Sequence, residues 1–252
     1  MTSSANAKVT PAMAVPVWED IPEAGEKEFA LARTETLNLA QWLARIANSY
    51  VARKLPEERV VLEFRSGNPA FVTQEFENCL ALELRLAGLE MQFSEHGRPV
   101  PHIFDPEEHS PAKVEAWLLV ELLHRGVDRS KFSKKLPYTV PNLMSGDAED
   151  HSPLACGNGL MRLSVWYRNA ASVLSSASRG SKILALPETL ALVYESNGAP
   201  ETKCGFSIGG EAAEPHFFVK SENGKKTGVL SASQLEKEGN PGLAAAQFIG
   251  AA

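Results

Sequence analysis

Leu80-Ala81-Leu82-Glu83-Leu84-Arg85-Leu86 decides how this chain folds. Leucine recurs at every second position, with Ala81, Glu83 and Arg85 between. Successive side chains of a strand point to opposite faces, so this is a strand with one leucine face buried and one face polar. Leu89, Met91 and Phe93 repeat the alternation after Gly88, and Ser94-Glu95-His96-Gly97 supplies turn chemistry into a further strand over 98–104. Upstream, Val60-Val61-Leu62-Glu63-Phe64 reads as a strand that stops at Ser66-Gly67-Asn68-Pro69. Connections this short make an antiparallel meander.

Helical periodicity flanks the meander. Leu39, Leu43, Ile46 and Tyr50, widened by Trp42, mark a helix over about 26–52 that ends before Pro56. Ser110-Pro111 is an N-cap followed by a proline at the first helical position, and the helix buries Val114, Trp117, Leu118 and Leu122 before Arg125-Gly126 closes it. Leu160, Leu163, Tyr167, Ala170 and Leu174 form the stripe of another long helix over 159–178. Strands follow at 182–186, 190–195, 203–208 and 216–220, with turns at Asn197-Gly198-Ala199-Pro200 and Asn223-Gly224. The expected fold class is α+β, an antiparallel sheet with helices packed on one face.

Helix followed by strands occurs twice, over about 26–126 and 159–252. The chain therefore reads as a single α+β domain over 26–252 made of two similar halves, joined by a long aperiodic loop at 127–158. That length suggests a functional loop, lid or linker. Residues 1–25 are rich in Ala, Ser and Pro and read as a flexible leader; they lack the basic and apolar regions of a signal peptide.

The 252 residues carry a formal net charge of −6, which argues against nucleic acid as a partner. No stretch approaches the ~18 consecutive apolar residues of a membrane span. Cys79, Cys156 and Cys204 are odd in number and widely spaced, which suits reduced thiols in a cytoplasmic protein. No cofactor is expected.

Leu186-Pro187-Glu188-Thr189-Leu190-Ala191, Gly205-Phe206-Ser207-Ile208-Gly209-Gly210 and Glu214-Pro215-His216-Phe217-Phe218-Val219 resemble the signature of an uncharacterised bacterial protein family. That signature runs Trp-Pro-His-His-Phe-Asp, then Gly-x-Ser-Pro-Gly-Asp, then Glu-Pro-Tyr-x-Tyr-Val. Pro187, Gly205, Ser207, Gly209 and Pro215 match it, and Trp166-Tyr167-Arg168-Asn169-Ala170 resembles the segment before it. The resemblance is specific only over 164–219. The family's two histidines and first aspartate are replaced here by Glu188, Thr189 and Ala191, and its second aspartate by Gly210. The resemblance thus implies a retained scaffold with a degenerate site.

The candidate site is Glu188, Ser207, Glu214 and His216, taken as ligand-binding. On a strand Glu214 and His216 point to one face about 7 Å apart, and Glu188 joins them if the segments pair. Gly205-Phe206-Ser207-Ile208-Gly209 also fits the Gly-x-Ser-x-Gly nucleophile elbow, but that motif needs a following helix, and here a strand follows. His96, His102, Asp105 and His109 form the densest potential ligand group, at a spacing that matches no established metal site, so no metal is assigned. Asp147, Glu149, Asp150 and His151 read as a solvated acidic loop. The expected function is binding, of a small polar ligand or a protein partner. The alternative is an enzyme with an acid-base site rebuilt from Glu188, Glu214 and His216.

Overall fold

The computed structural model describes residues 15–51, 59–178, 182–195, 202–210, 213–221 and 227–250. The turns expected at 197–200 and 223–224, and residues 1–14 of the leader, lie outside them. The chain begins with α1 (Glu26–Tyr50) and continues through β1 (Leu62–Arg65), β2 (Ala70–Val72), β3 (Leu80–Arg85), β4 (Met91–Glu95) and β5 (Arg98–Phe104) to α2 (Pro111–His124). It then repeats this order with α3 (Gly159–Ala177), β6 (Leu184–Leu186), β7 (Ala191–Glu195), β8 (Thr202–Ser207), β9 (His216–Ser221) and β10 (Thr227–Ser231), closing with α4 (Ala232–Leu235) and α5 (Pro241–Gly250).

Among the described residues all ten strands belong to one antiparallel sheet of order β10-β9-β8-β7-β6-β1-β2-β3-β4-β5. Each half contributes a five-stranded meander, and the two join where β1 pairs with β6 through Leu62 opposite Ala185 and Glu63 opposite Leu184. The topology is that of two equivalent units meeting edge to edge about a two-fold.

Register divides the sheet into two faces. Leu62, Phe71, Leu82, Phe93, Leu192, Phe206 and Phe217 are wholly buried on the face that the helices cover. Each such side chain removed from water contributes about 1.5–3 kcal/mol. Tyr167 of α3 lies under the seam, its ring against Phe64, Phe71 and Phe206 and its hydroxyl donating to Leu190 O at 2.8 Å.

A second row runs across the other face, one residue per strand: Val229, Phe218, Gly205, Val193, Leu184, Glu63, Val72, Glu83, Gln92 and Ile103 stand opposite one another in turn. Its C-terminal half is apolar and its N-terminal half mostly polar. Phe218 lies across Gly205, where a β-carbon would collide with the ring.

The aperiodic segment 127–158 is a strap bound along α1. A polar stripe on that helix anchors it: Glu35 holds His151, Asn38 Oδ1 accepts from Met144 N, and Gln41 Oε1 accepts from the Tyr138 hydroxyl. Arg45 and Asn48 donate to the Lys134 and Lys135 carbonyls, and Ser49 accepts from Ser133 N. The spacing of 35, 38, 41, 45 and 48 is helical, so one face of α1 meets the strap throughout. Residues 15–25 are likewise held on α3. Val17 N donates to Ser172, Asn169 bonds both N and O of Glu19, the Glu19 carboxylate grips Arg168, and Trp18 meets Trp166 edge-on at 6.0 Å.

Candidate ligand-binding face

The face left uncovered by helices carries two groups of functional side chains, and their geometry differs. The first is the C-terminal cluster around β8 and β9. Ser207 and His216 are directly opposite on neighbouring strands, and Ser231 is opposite His216 on β10. Directly opposed β-carbons stand about 5 Å apart, so the fold brings Ser207 and His216 together.

Each of these side chains makes a hydrogen bond within its own neighbourhood. Ser207 Oγ accepts from Gly209 N at 3.2 Å within a turn that Gly209 makes at φ +85°. The chain then enters β9, a strand, where a nucleophile elbow needs a helix. Glu214 Oε2 and Oε1 accept from the amide and hydroxyl of Ser233 at 2.9 and 2.7 Å, fixing the start of α4. Those hydrogen bonds from Ser233 hold the Glu214 carboxyl below its usual value, with Ser231 and His216 adding to the effect. His216 Nδ1–H donates to the Glu214 main-chain carbonyl at 2.8 Å, not to its carboxylate. No carboxylate–histidine–hydroxyl relay results.

Glu188 is placed elsewhere. It sits in the turn between β6 and β7, 3.8 Å from Arg59, and its charge helps burial to push the Tyr138 phenol upward. Gln41 of α1 anchors this turn by donating to Pro187 O at 2.8 Å. Two to three strand spacings, roughly 10–14 Å, separate that turn from β9, beyond direct hydrogen-bonding reach. Ser207 and His216 are thus paired across β8 and β9, Glu214 lies two residues before His216, and Glu188 is in the β6–β7 turn on the far side of β8 from β9.

The second group is a recess of about 530 Å³ over the N-terminal half of the same face. Val72 and Ala81 make a small apolar floor, with Ala70 packed beside them. Glu63, Arg65, Glu75 and Lys182 supply walls of both signs, and Thr73 and Ser94 add hydroxyls. Among the described lining residues there is neither histidine nor cysteine. Lys182 Nζ contacts Glu63 Oε1 at 2.9 Å, and Arg65 Nη1 contacts Glu83 Oε2 at 2.6 Å.

Glu83 is a buried carboxylate on the open face, and a charge network holds it there. Besides Arg65, Arg85 Nε donates to its Oε1 at 2.8 Å; Arg85 also bonds Gln92, whose amide in turn bonds Val100 O. Buried charge persists only when it is paired in this way.

The recess was not legible before folding. Glu83 and Arg85 stood out as the polar face of one strand, but nothing in the local pattern links them to Arg65 or Lys182, which only the β1–β2–β3 and β1–β6 registers bring alongside. His96, His102, Asp105 and His109 do not converge. Asp105 caps Glu107 N and His109 Nδ1 bonds Glu107 O, while His102 turns toward α2. In the acidic loop, Asp147 accepts from Ser110 and His151 turns inward to Glu35.

No helix among the described residues is long and apolar enough to cross a membrane. The chain matches no protein-family model, no curated protein and no solved structure.

Proposed function

We propose that this protein binds, and does not transform, a small polar ligand carrying charges of both signs, held in the recess on the open sheet face. The observation that carries this reading is the composition of the recess: two cations, Arg65 and Lys182, and two carboxylates, Glu63 and Glu75, line it together with the small apolar side chains of Val72 and Ala81. Its volume falls in the range of small-molecule sites. A zwitterion, such as a free amino acid or short peptide, would set its ammonium against Glu63 and Glu75 and its carboxylate against Lys182 and Arg65.

A binding role also accords with the C-terminal cluster. Catalytic proton transfer needs a group free to give or take a proton at the reacting atom, whereas Glu214 is engaged with Ser233 and Ser207 with Gly209. Within this reading the scaffold residues Pro187, Gly205, Gly209 and Pro215 survive from a family whose own site is lost here. The three free thiols suit a cytoplasmic setting.

Amide chemical shifts decide the matter. Millimolar zwitterionic dipeptides should move the resonances of Thr73, Ala81, Ser94 and Gly97, while neutral or singly charged analogues should move them far less. Lys182→Met removes only an exposed ion pair, worth at most about 1 kcal/mol, and should abolish the response without unfolding the protein. Unchanged shifts along β2–β4 at saturating probe would reject the recess as the site.

A further inference from the structure

Glu121 is 3 % exposed although it lies at the margin of the sheet. It is in the last turns of α2, three residues before His124, so the two side chains share one helix face. The edge strand β5 presents His102 to the same place. Glu121 Oε1 stands 3.0 Å from His102 Nδ1 and 4.0 Å from His124 Nδ1. One ligand atom from each of the three residues lies within 4.8 Å of the others.

The other carboxylate oxygen points inward. Arg125 Nη1 is 2.7 Å from Oε2, but its directed hydrogen bond goes to the Glu121 main-chain carbonyl at 3.1 Å. Oε2 thus has a compensating charge and no aligned donor. Arg125 is itself largely buried, with its guanidinium 5.7 Å from the centre of the Phe93 ring. The carboxylate is consequently fixed in orientation, with Oε1 turned toward two imidazoles whose outer sides are exposed.

We propose that His102, Glu121 and His124 form a binding site for one divalent transition-metal ion, with zinc the cation that fits best. Two imidazoles and one carboxylate are a borderline nitrogen–oxygen donor set, suited to zinc over magnesium or calcium, which favour oxygen alone. Ligands around a tetrahedral zinc ion with bonds of about 2.0–2.1 Å stand about 3.3 Å apart. The His102–Glu121 spacing already fits, and His124 needs only a small side-chain rotation to close. A fourth position opens to solvent. Arg125 is the outer partner that orients the ligating carboxylate. The ion would clasp α2 to the edge strand, reinforcing the contact that Trp117 makes with Phe104. This site is on the helix side of β5, apart from the recess, and stands or falls independently of it.

Calorimetric titration of the untagged chain with Zn²⁺, together with the visible absorption of Co²⁺ added in its place, tests the assignment. The expected result is one ion per chain and a Co²⁺ spectrum of low coordination number, with affinity reduced at least about tenfold in His102→Ala and in His124→Ala. His96→Ala, in the turn before β5, should bind as the parent does. Saturating zinc should raise the melting temperature of the parent by about 5 °C or more and that of His124→Ala markedly less. Both histidines are more than half exposed, so their removal leaves the fold intact, and a melt of each metal-free variant verifies this. Absence of zinc binding, or binding of undiminished strength in both histidine variants, overturns the proposal.

Discussion

His151 donates from Nδ1 to Glu35 Oε2 at 2.7 Å, inside the protein, although 116 residues separate the two in the chain. Both side chains are almost wholly buried. The bond fixes the far end of the strap onto α1, while Gln41–Tyr138 and Asn38–Met144 fix its middle. The long aperiodic segment between the two halves is thus packed along α1.

His151→Ala should accordingly destabilise the fold by about 3 kcal/mol, because Glu35 is left as an unpaired buried carboxylate. Replacing both partners, Glu35→Met with His151→Leu, should cost markedly less than the sum of the single changes, since no uncompensated polar group remains. Urea denaturation of the two single variants and the double variant measures the difference. Additive losses would mean the pair does not act as a unit.

Gly209 and His216 should separate scaffold from surface chemistry. Gly209→Val places a β-branched residue at φ +85°, where its β-carbon collides with the Ala213 carbonyl. A loss of about 2 kcal/mol or more is expected from that strain and collision. His216→Ala removes one exposed hydrogen bond to a main-chain carbonyl and should cost under about 1 kcal/mol. Thermal melts of the two variants side by side check this, and equal shifts would contradict it.

The thiols should react in a fixed order. Cys79 is exposed, whereas Cys156 and Cys204 are buried. Burial, aided by the nearby Glu35 and Glu107 carboxylates, pushes the Cys156 thiol up to about 12, and burial also raises Cys204. At mildly alkaline pH a thiol reagent should modify Cys79 alone in the native protein, and the other two only after denaturation. Mass spectrometry of the alkylated peptides reads the order directly.

Acid should loosen the contact between 15–25 and α3. The bidentate bond from Arg168 holds the Glu19 carboxyl below its ordinary 4.5. A carboxyl lowered in the folded state contributes stability above its unfolded value and loses it as pH falls through the folded one. The pair is partly exposed, so its contribution is at most about 1 kcal/mol. Hydrogen exchange at Val17 and Glu19 should therefore quicken below pH 4.5, and Glu19→Gln should be equally fast above it. Exchange that stays slow in Glu19→Gln at neutral pH would assign the anchoring to Trp18 and Asn169 instead.

The leucine alternation of 80–86, the stripes of α1 and α3, and the Ser110-Pro111 cap each lie within one element, and each is legible without a partner. Periodicity of two or of about 3.6 records which side of an element faces water, and that is enough to fix the α+β class and most element positions. The turn at Gly209 is legible for a similar local reason, since few other residues accept its backbone angle. Partnership across the chain is a different kind of information. That β1 pairs with β6, that Lys182 stands beside Glu63, that Glu121 and His124 face a histidine nineteen residues before Glu121, and that Glu35 waits for His151 all depend on sheet register and helix docking. Those are decided by burying many apolar side chains at once. A polar residue therefore shows in the sequence only that it avoids or tolerates the core, and the tertiary structure alone selects the charge or donor it meets there.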